Sequence, residues 1–314
     1  MNGAEVKRLS RLVFLGTGTS QGVPIIGCDC EVCTSSDPRD QRLRTSVALE
    51  SPSSRVVIDT GPDFRAQMLR EGICQLDAVV YTHEHKDHLA GMDDVRPFNY
   101  LQKRAMTLHA SDRVEEALRR DFHYAFDEFK HGGVPDVHVS RIEDHQPFEA
   151  GGMHWHPLPI MHGKLPIHGF RVDNVAYITD ASQISDDTLS QLQGLEVLVL
   201  NALRPQTHYS HFSLPEALEV AQRIGAKHTY FTHLSHLMGR HEQAEASLPE
   251  ALEVAQRIGA KRTYFTHLSH LMGMHEQVQV SLPEGIRLAY DGLALVREEG
   301  MWTEVPSPWT NLAP

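Results

Sequence analysis

The run Tyr81-Thr82-His83-Glu84-His85-Lys86-Asp87-His88 decides how the rest of the chain is read. It follows Leu76-Asp77-Ala78-Val79-Val80, an apolar stretch patterned as a buried strand. Three histidines and two acids in six residues are a costly way to end a strand unless they hold something. In extended backbone, residues two apart share a side, so His83, His85 and Asp87 are expected to converge on one point. A helix would not allow this, because positions i and i+2 do not face each other. His88 is expected to point elsewhere, with Leu89-Ala90-Gly91-Met92-Asp93-Asp94 opening a helix. The loop therefore offers two imidazoles to one metal ion, and an imidazole with a carboxylate to a second. Nitrogen and oxygen donors at this density suit Zn, Mn or Fe.

The chain of 314 residues has room for one large core or two modest ones. A hydrophobic share of 41% with 22% charged residues is that of a soluble globular protein. A formal net charge of −12 argues against long nucleic acids as partners. No apolar run approaches the roughly 18–20 residues needed to span a bilayer, so no membrane partner is expected. The opening residues Met1 to Arg8 lack the apolar core of a secretory signal, so a cytoplasmic location is expected.

Three of the four cysteines sit in Gly27-Cys28-Asp29-Cys30-Glu31-Val32-Cys33. They are too closely spaced for ordinary disulfides, and in a cytosolic chain the pattern reads as a metal site. Structural zinc takes four ligands, so Cys28, Cys30 and Cys33 need another, either Cys74 or a histidine from elsewhere.

Upstream, Arg11-Leu12-Val13-Phe14-Leu15 reads as a strand running into Gly16-Thr17-Gly18-Thr19-Ser20-Gln21-Gly22. Val23-Pro24 follows instead of a helix, so the glycines are not a dinucleotide fingerprint. They are expected to provide positive φ or a close backbone approach. Residues 45–49 and 55–59 form a hairpin about Pro52-Ser53-Ser54, and a helix is expected from Asp112 to Lys130, with Val114, Leu118, Phe122 and Phe126 on one face. Later strand-like pieces are Val137–Val139, Met153–Leu158 with His162 just beyond it, and Val175-Ala176-Tyr177-Ile178-Thr179 ending at Asp180; Leu195 to Leu200 is another buried run. Together these describe an α/β layered protein with its site at strand ends.

Residues 213–246 and 247–280 are a direct repeat, identical at 29 of 34 positions. Two copies are too few for a helical solenoid, and each reads as one helix followed by one strand. The helix opens on the capping box Ser213-Leu214-Pro215-Glu216 and ends near Gly225. The strand leads into Thr232-His233-Leu234-Ser235-His236, repeated as Thr266-His267-Leu268-Ser269-His270. Ser-Leu-Pro-Glu recurs a third time at Ser281, so matching tetrapeptides bound the duplication. One core is expected to dock one copy. The second copy keeps Val278-Gln279-Val280 and the downstream neighbours, and is expected to supply the strand and its histidines. The surplus copy would be an outgrowth, an added edge strand or a handle for a domain-swapped homodimer.

The H-x-H-x-D-H form of residues 83–88, followed in order by His162, Asp180 and Thr-His-Leu-Ser-His, resembles the metallo-β-lactamase-fold hydrolases. Leu15-Gly16-Thr17-Gly18, Gln21-Gly22-Val23-Pro24, the cysteine cluster and the paired histidines are similar to the phosphoribosyl cyclic phosphate phosphodiesterase branch. The resemblance covers nearly the whole chain apart from one repeat copy. It implies a single four-layer αββα sandwich domain over residues 1–314, carrying the duplicated C-terminal helix–strand unit. It also implies one divalent metal, Zn or Mn, on His83, His85 and His162. A second would sit on Asp87, His88 and either His233 or His267, with Asp180 bridging the two. Cys28, Cys30 and Cys33 would hold a structural zinc, with His236 or His270 as fourth ligand. The family's further catalytic histidine matches His211, with His208 as its neighbouring rival. Arg96, Lys164 and Arg204 are candidate phosphate holders.

The activity expected from the resemblance is metal-dependent hydrolysis of a small cyclic or nucleotide-like phosphodiester. A thioester or lactam hydrolase, a tRNA-processing nuclease and a non-catalytic metal-stabilised scaffold are the competing readings. The superfamily hosts several chemistries on one fold, so the motif alone does not choose among them.

Overall fold

The structure is a computed structural model describing residues 7–30, 32–36, 38, 41–129, 132–203, 207–232, 263–265, 286–288 and 291–306. In chain order its first strands are β1 (Arg11–Gly16), β2 (Ser46–Ser51), β3 (Ser54–Ile58), β4 (Ala78–Val80), β5 (Met106–Ala110) and β6 (Val137–Arg141). Then come β7 (Phe148–Ala150), β8 (Met153–His162), β9 (Leu165–Val172), β10 (Val175–Ile178), β11 (Gln183–Ile184) and β12 (Val197–Asn201). The last are β13 (His228–Thr232), β14 (Thr263–Phe265), β15 (Ile286–Leu288), β16 (Leu293–Glu298) and β17 (Met301–Pro306). The helices are α1 (Phe64–Arg70), α2 (Lys86–Leu89), α3 (Arg96–Gln102), α4 (Asp112–Asp121), α5 (Asp186–Ser190) and α6 (Leu214–Ile224). The chain forms two compact units: residues 1–15, 46–157 and 292–314, and residues 16–45 and 158–291.

The first unit is built on an eight-stranded sheet in the order β17-β16-β1-β2-β3-β4-β5-β6. The hairpin of β2 and β3 forms as expected, with Val47 opposite Ile58 and the turn on Pro52-Ser53. From β3 to β6 the strands are parallel. Val79, Met106, Leu108 and Ala110 pack into one core with Phe64 and Met68 of α1, Phe98 of α3 and Val114 and Leu118 of α4. Because β3 and β4 are parallel, the residues that follow them emerge side by side, and the Asp59 N–H donates to the Val80 carbonyl at 2.9 Å. That register brings Asp59 beside the histidine run.

Helix α4 is shorter than its sequence pattern predicts. It stops at Asp121, and Phe122 leaves helical geometry at φ −124°, ψ 39°. Residues His123–Ala125 form a separate tight turn. Phe126 lies under the Arg119 guanidinium, 4.7 Å from ring centroid to Cζ, so it does not extend the helical face. Lys130 lies outside the described residues.

The second unit's sheet runs β11-β8-β9-β10-β12-β13-β14-β15. Strand β8 starts in the first unit, pairing with β7, and ends in the second, pairing with β11. Leu158, Ile160, Ala176, Ile178, Leu198 and Leu200 meet Ala217, Leu218, Ala221 and Ile224 of α6 in its core. Helix α6 has the expected capping box between Ser213 and Glu216, and Gly225 closes it at φ 65°. Such caps contribute about 1 kcal/mol. The glycine loop after β1 is held by Asp291, whose carboxylate accepts from the Thr17 N–H, the Thr17 hydroxyl and the Leu43 N–H. A Cβ on Gly18 would come within 2.8 Å of the Arg42 carbonyl, so close backbone approach is the reason for that glycine.

Both repeat copies place a strand in this sheet, which corrects the expectation that the second copy docks in the first one's stead. Strand β13 of copy one pairs in parallel with β12, and β14 of copy two pairs in parallel with β13, Tyr230 opposite Tyr264. The physical reason is connectivity. A helix–strand unit following a parallel strand adds one more parallel strand beside it, and repeating the unit repeats the step. The helix of copy two lies outside the described residues. Among the described residues no helix is long and apolar enough to cross a membrane.

Candidate functional site

Each unit carries its own share of the expected ligands. In the first unit, His83 and His85 leave β4 in irregular backbone, and His85 is extended at φ −64°, ψ 148°. The helix then starts earlier than expected: α2 already contains Asp87 and His88, and the His85 carbonyl accepts from the N–H groups of His88 and Leu89. Spacing of two therefore explains His83 and His85, but Asp87 and His88 are presented by a helical turn. His88 does not point away, because its ring centroid lies 4.1 Å from that of His83.

The organiser of this loop is Asp59, fully buried just after β3 at φ 65°. Its carboxylate accepts from the Thr82 N–H at 2.8 Å, the Thr82 hydroxyl at 2.8 Å and His88 Nδ1 at 2.7 Å. With the Thr82 hydroxyl donating to Asp59, its oxygen is left to accept from His83 Nδ1 at 2.9 Å. Both buried imidazoles therefore carry their proton on Nδ1 and turn an Nε2 lone pair outward, the tautomer a metal requires. His83 Nε2 lies 3.0 Å from His85 Nδ1, and His88 Nε2 lies 3.3 Å from Asp87 Oδ2. Burial pushes the Asp59 carboxyl up, while His88 and the Thr82 donors pull it down. The sequence reading missed Asp59. Its signal was an acid ending a strand at Asp59-Thr60-Gly61, whose place beside Thr82 depends on strand pairing.

The loop has no spare room. A Cβ on Gly91 would come 2.2 Å from the Gly61 carbonyl oxygen. The Gly91 and Thr60 N–H groups donate to Thr60 and His88 carbonyls respectively, clamping the end of the histidine run.

In the second unit, His162 ends β8 and Asp180 follows β10 at φ 61°. Ligand atoms of His162, Asp180 and His211 lie within 4.8 Å of one another. His162 Nδ1 donates to the Ser210 carbonyl at 2.7 Å, which again puts the lone pair on Nε2. Asp180 accepts from the Thr179 hydroxyl at 2.6 Å. Buried Asn201 exchanges two hydrogen bonds with the Ala181 backbone, fixing the turn that aims Asp180. His211 Nδ1 faces Asp180 Oδ1 at 3.8 Å, and its ring is 4.5 Å from that of His162. His208 stands one ring further out, 5.2 Å from His211.

The sulfur atoms of Cys28, Cys30 and Cys33 also cluster within 4.8 Å, all half-buried. The Ile25 N–H points at Cys33 Sγ at 3.4 Å. Burial pushes the Cys33 thiol up to about 12, whereas the Cys30 backbone N–H lowers that of Cys28. A bound cation would hold such sulfurs as thiolates. Cys74 is exposed. Among the phosphate candidates, Arg96 donates to the Gly133 carbonyl, and Lys164 is exposed on the β8–β9 turn. His233, His236, His267, His270 and Arg204 lie outside the described residues. The donor chemistry fits divalent metals: imidazoles locked as Nδ1–H tautomers, buried carboxylates and a thiol triad.

A family profile described as a beta-lactamase superfamily domain matches residues 54–234. A diphosphatase of the PhnP family has a solved structure that superposes with a TM-score of 0.70 at 38% identity, covering 95% of this chain and 98% of that one. The Zn(2+)-bound PqqB of Methylobacterium extorquens superposes with a TM-score of 0.62 at 17% identity, covering 91% of this chain and 99% of that one, a likeness of fold. An octanoyltransferase of Porphyromonas gingivalis is 37% identical over 235 residues, which is 74% of this chain and 47% of that protein. The chain thus spans about half the length of that relative. The chain belongs to the beta-lactamase superfamily, as a metallo-β-lactamase-fold hydrolase of the PhnP-like branch.

Proposed function

We propose that the chain is a metal-dependent phosphodiesterase acting on a small cyclic or nucleotide-like phosphate. The observation that carries this reading is the shared tautomer of His83, His88 and His162, each with its proton on Nδ1 and its lone pair on Nε2. His83, His85 and His162 would hold one divalent ion. Asp87, His88 and either His233 or His267 would hold the second, with Asp180 shared between them. When bound, such ions polarise a phosphoryl oxygen and lower the pKa of water.

The protein's own groups supply the rest. The Nδ1 of His211 is sealed from solvent and faces Asp180, so Nε2 is the atom that would give a proton to the leaving alkoxide. Asp59 keeps two imidazoles in the ligand tautomer. Lys164 would attract the substrate's negative charge, and an overall charge of −12 disfavours long nucleic acids. Cys28, Cys30 and Cys33 would hold a structural zinc, completed by His236 or His270. The phosphate chemistry is supported by the 38% identity with the PhnP-family diphosphatase.

The test is hydrolysis of bis-p-nitrophenyl phosphate against a chromogenic thioester and a β-lactam, with Mn or Zn added. Turnover of the phosphodiester above the other two is expected. A fully metallated sample that leaves the phosphodiester intact would sink the reading.

A further inference from the structure

Tyr209 is 85% exposed, unusual for an aromatic side chain one residue from His208 and two from His211. Its ring does not hang free. One side meets His208, with centroids 4.8 Å apart and planes at 38°. Its edge lies over Gly163, where an added Cβ would come 3.4 Å from Tyr209 Cδ2 and 3.5 Å from Cε2. Gly163 sits at φ 61° in the two-residue turn after His162, and the Ser182 hydroxyl accepts from its N–H at 2.8 Å. The next residue, Ser210, holds His162 through its carbonyl. Both supports of the ring are therefore fixed to the ligand set itself.

A series of rings leads inward from Tyr209: His208 to His211 at 5.2 Å, then His211 to His162 at 4.5 Å. Lys164 is on the same turn as Gly163, exposed and without an ion pair among the described residues. An open aromatic face thus stands two ring contacts, of 4.8 and 5.2 Å, from His211. A cation stands on the same turn.

We propose that Tyr209 is a stacking platform for a planar ring of the substrate, so that the site takes nucleoside-type phosphoesters in preference to purely aliphatic ones. The phosphate's place at His162, Asp180 and His211 rests on the phosphodiesterase reading. The ring's place rests on Tyr209 alone. Stacking of a base on an aromatic side chain is sequence-tolerant, so the platform selects for an aromatic ring without choosing which base. The phenol hydroxyl is not needed for this role.

Calorimetric titration of the full-length, Mn-loaded protein with adenosine 5′-monophosphate and with ribose 5-phosphate tests the inference. The wild type is expected to bind the nucleotide about tenfold more tightly. Tyr209→Ala should abolish that preference and leave ribose 5-phosphate affinity unchanged, while Tyr209→Phe should keep it. A wild type without the preference, or a preference that survives Tyr209→Ala, overturns the proposal. Bis-p-nitrophenyl phosphate turnover is scored separately. A nucleotide preference without turnover would remove the phosphodiesterase reading and leave the platform standing, and turnover without the preference would do the reverse.

Discussion

The two units hold their candidate ligands by different means. In the first, His83 and His88 are almost wholly buried, and both depend on one side chain, the carboxylate of Asp59. In the second, His162 is only half-buried and is fixed by a backbone carbonyl, that of Ser210, while Asp180 is aimed by the Ala181 turn pinned to Asn201. A side-chain buttress concentrates dependence in one group that a single substitution can remove. A backbone buttress survives replacement of the residue that provides it. The first unit should therefore be the fragile share of the site and the second the tolerant one.

The largest expected effect follows directly. In Asp59→Asn, an amide nitrogen facing His88 Nδ1 would donate where the carboxylate accepts. His88 would then have to move its proton to Nε2, the atom needed for a metal. The route from Asp59 through Thr82 to His83 would be disturbed as well. Outer partners of metal-binding histidines contribute roughly 10–100-fold each to affinity, so a loss of about 100-fold or more in Mn or Zn affinity is expected. Ser210→Ala leaves the carbonyl in place and should change metal affinity by no more than about twofold, well below that range. Calorimetric metal titration of both variants checks the contrast. Comparable losses from the two would show that the units do not differ as described.

A second effect in the first unit concerns stability against pH. On β5 of the first unit, His109 is 5% exposed and stacks on Phe148 with centroids 4.9 Å apart. Burial first, and His138 second, push its pKa down to about 4 from 6.5. With this depressed pKa the fold keeps its full stability at pH above about 6.5, where folded and unfolded chains both carry neutral imidazole. As pH falls, the unfolded chain protonates first, and stability drains away until the folded pKa is reached. The loss is on the order of 3 kcal/mol between pH 6.5 and 4. His109→Phe keeps the ring and removes the titration, so its stability should fall less over that window. Urea unfolding at several pH values measures the difference between the two slopes. Parallel curves would mean that His109 does not titrate as described.

The histidine run was readable because its candidate ligands are local, and the density of donors with their spacing implicated His83, His85, Asp87 and His88. How the last two are presented was not readable. His85 caps a short helix, and a helix start three residues earlier than expected turns an extended pattern into a helical one. Asp59 was hidden for a different reason. It reaches Thr82 and His88 through the parallel pairing of β3 with β4, and that register is a tertiary fact carried by no local pattern. The end of α4 was lost because Phe122 and Phe126 continue the apolar spacing after the backbone has left the helix. By contrast, the capping box and Gly225 gave both ends of α6 correctly, since those signals act within one turn.

The smallest effect is expected where the second unit is most unusual. Its sheet takes one strand from each repeat copy, with β13 and β14 carrying the same Thr-Tyr-Phe in parallel register and β15 following β14. Deletion of residues 247–280 joins Ala246 to Ser281, where Ser-Leu-Pro-Glu starts again, so the chain re-enters in the same phase of the repeat. Strand β13 stays beside β12, and His233 and His236 remain in sequence. What is lost is a step that contributes a three-residue strand, β14. The expected change is about 1 kcal/mol or less, which in a chain of this size is roughly 2–4 °C in Tm. Metal content should stay the same. Thermal melts and metal analysis of the deleted chain give the answer. A collapse in Tm or the loss of a bound ion would mean that the second copy is an integral part of the unit, and the tolerance assigned to the second unit would not extend to its repeat.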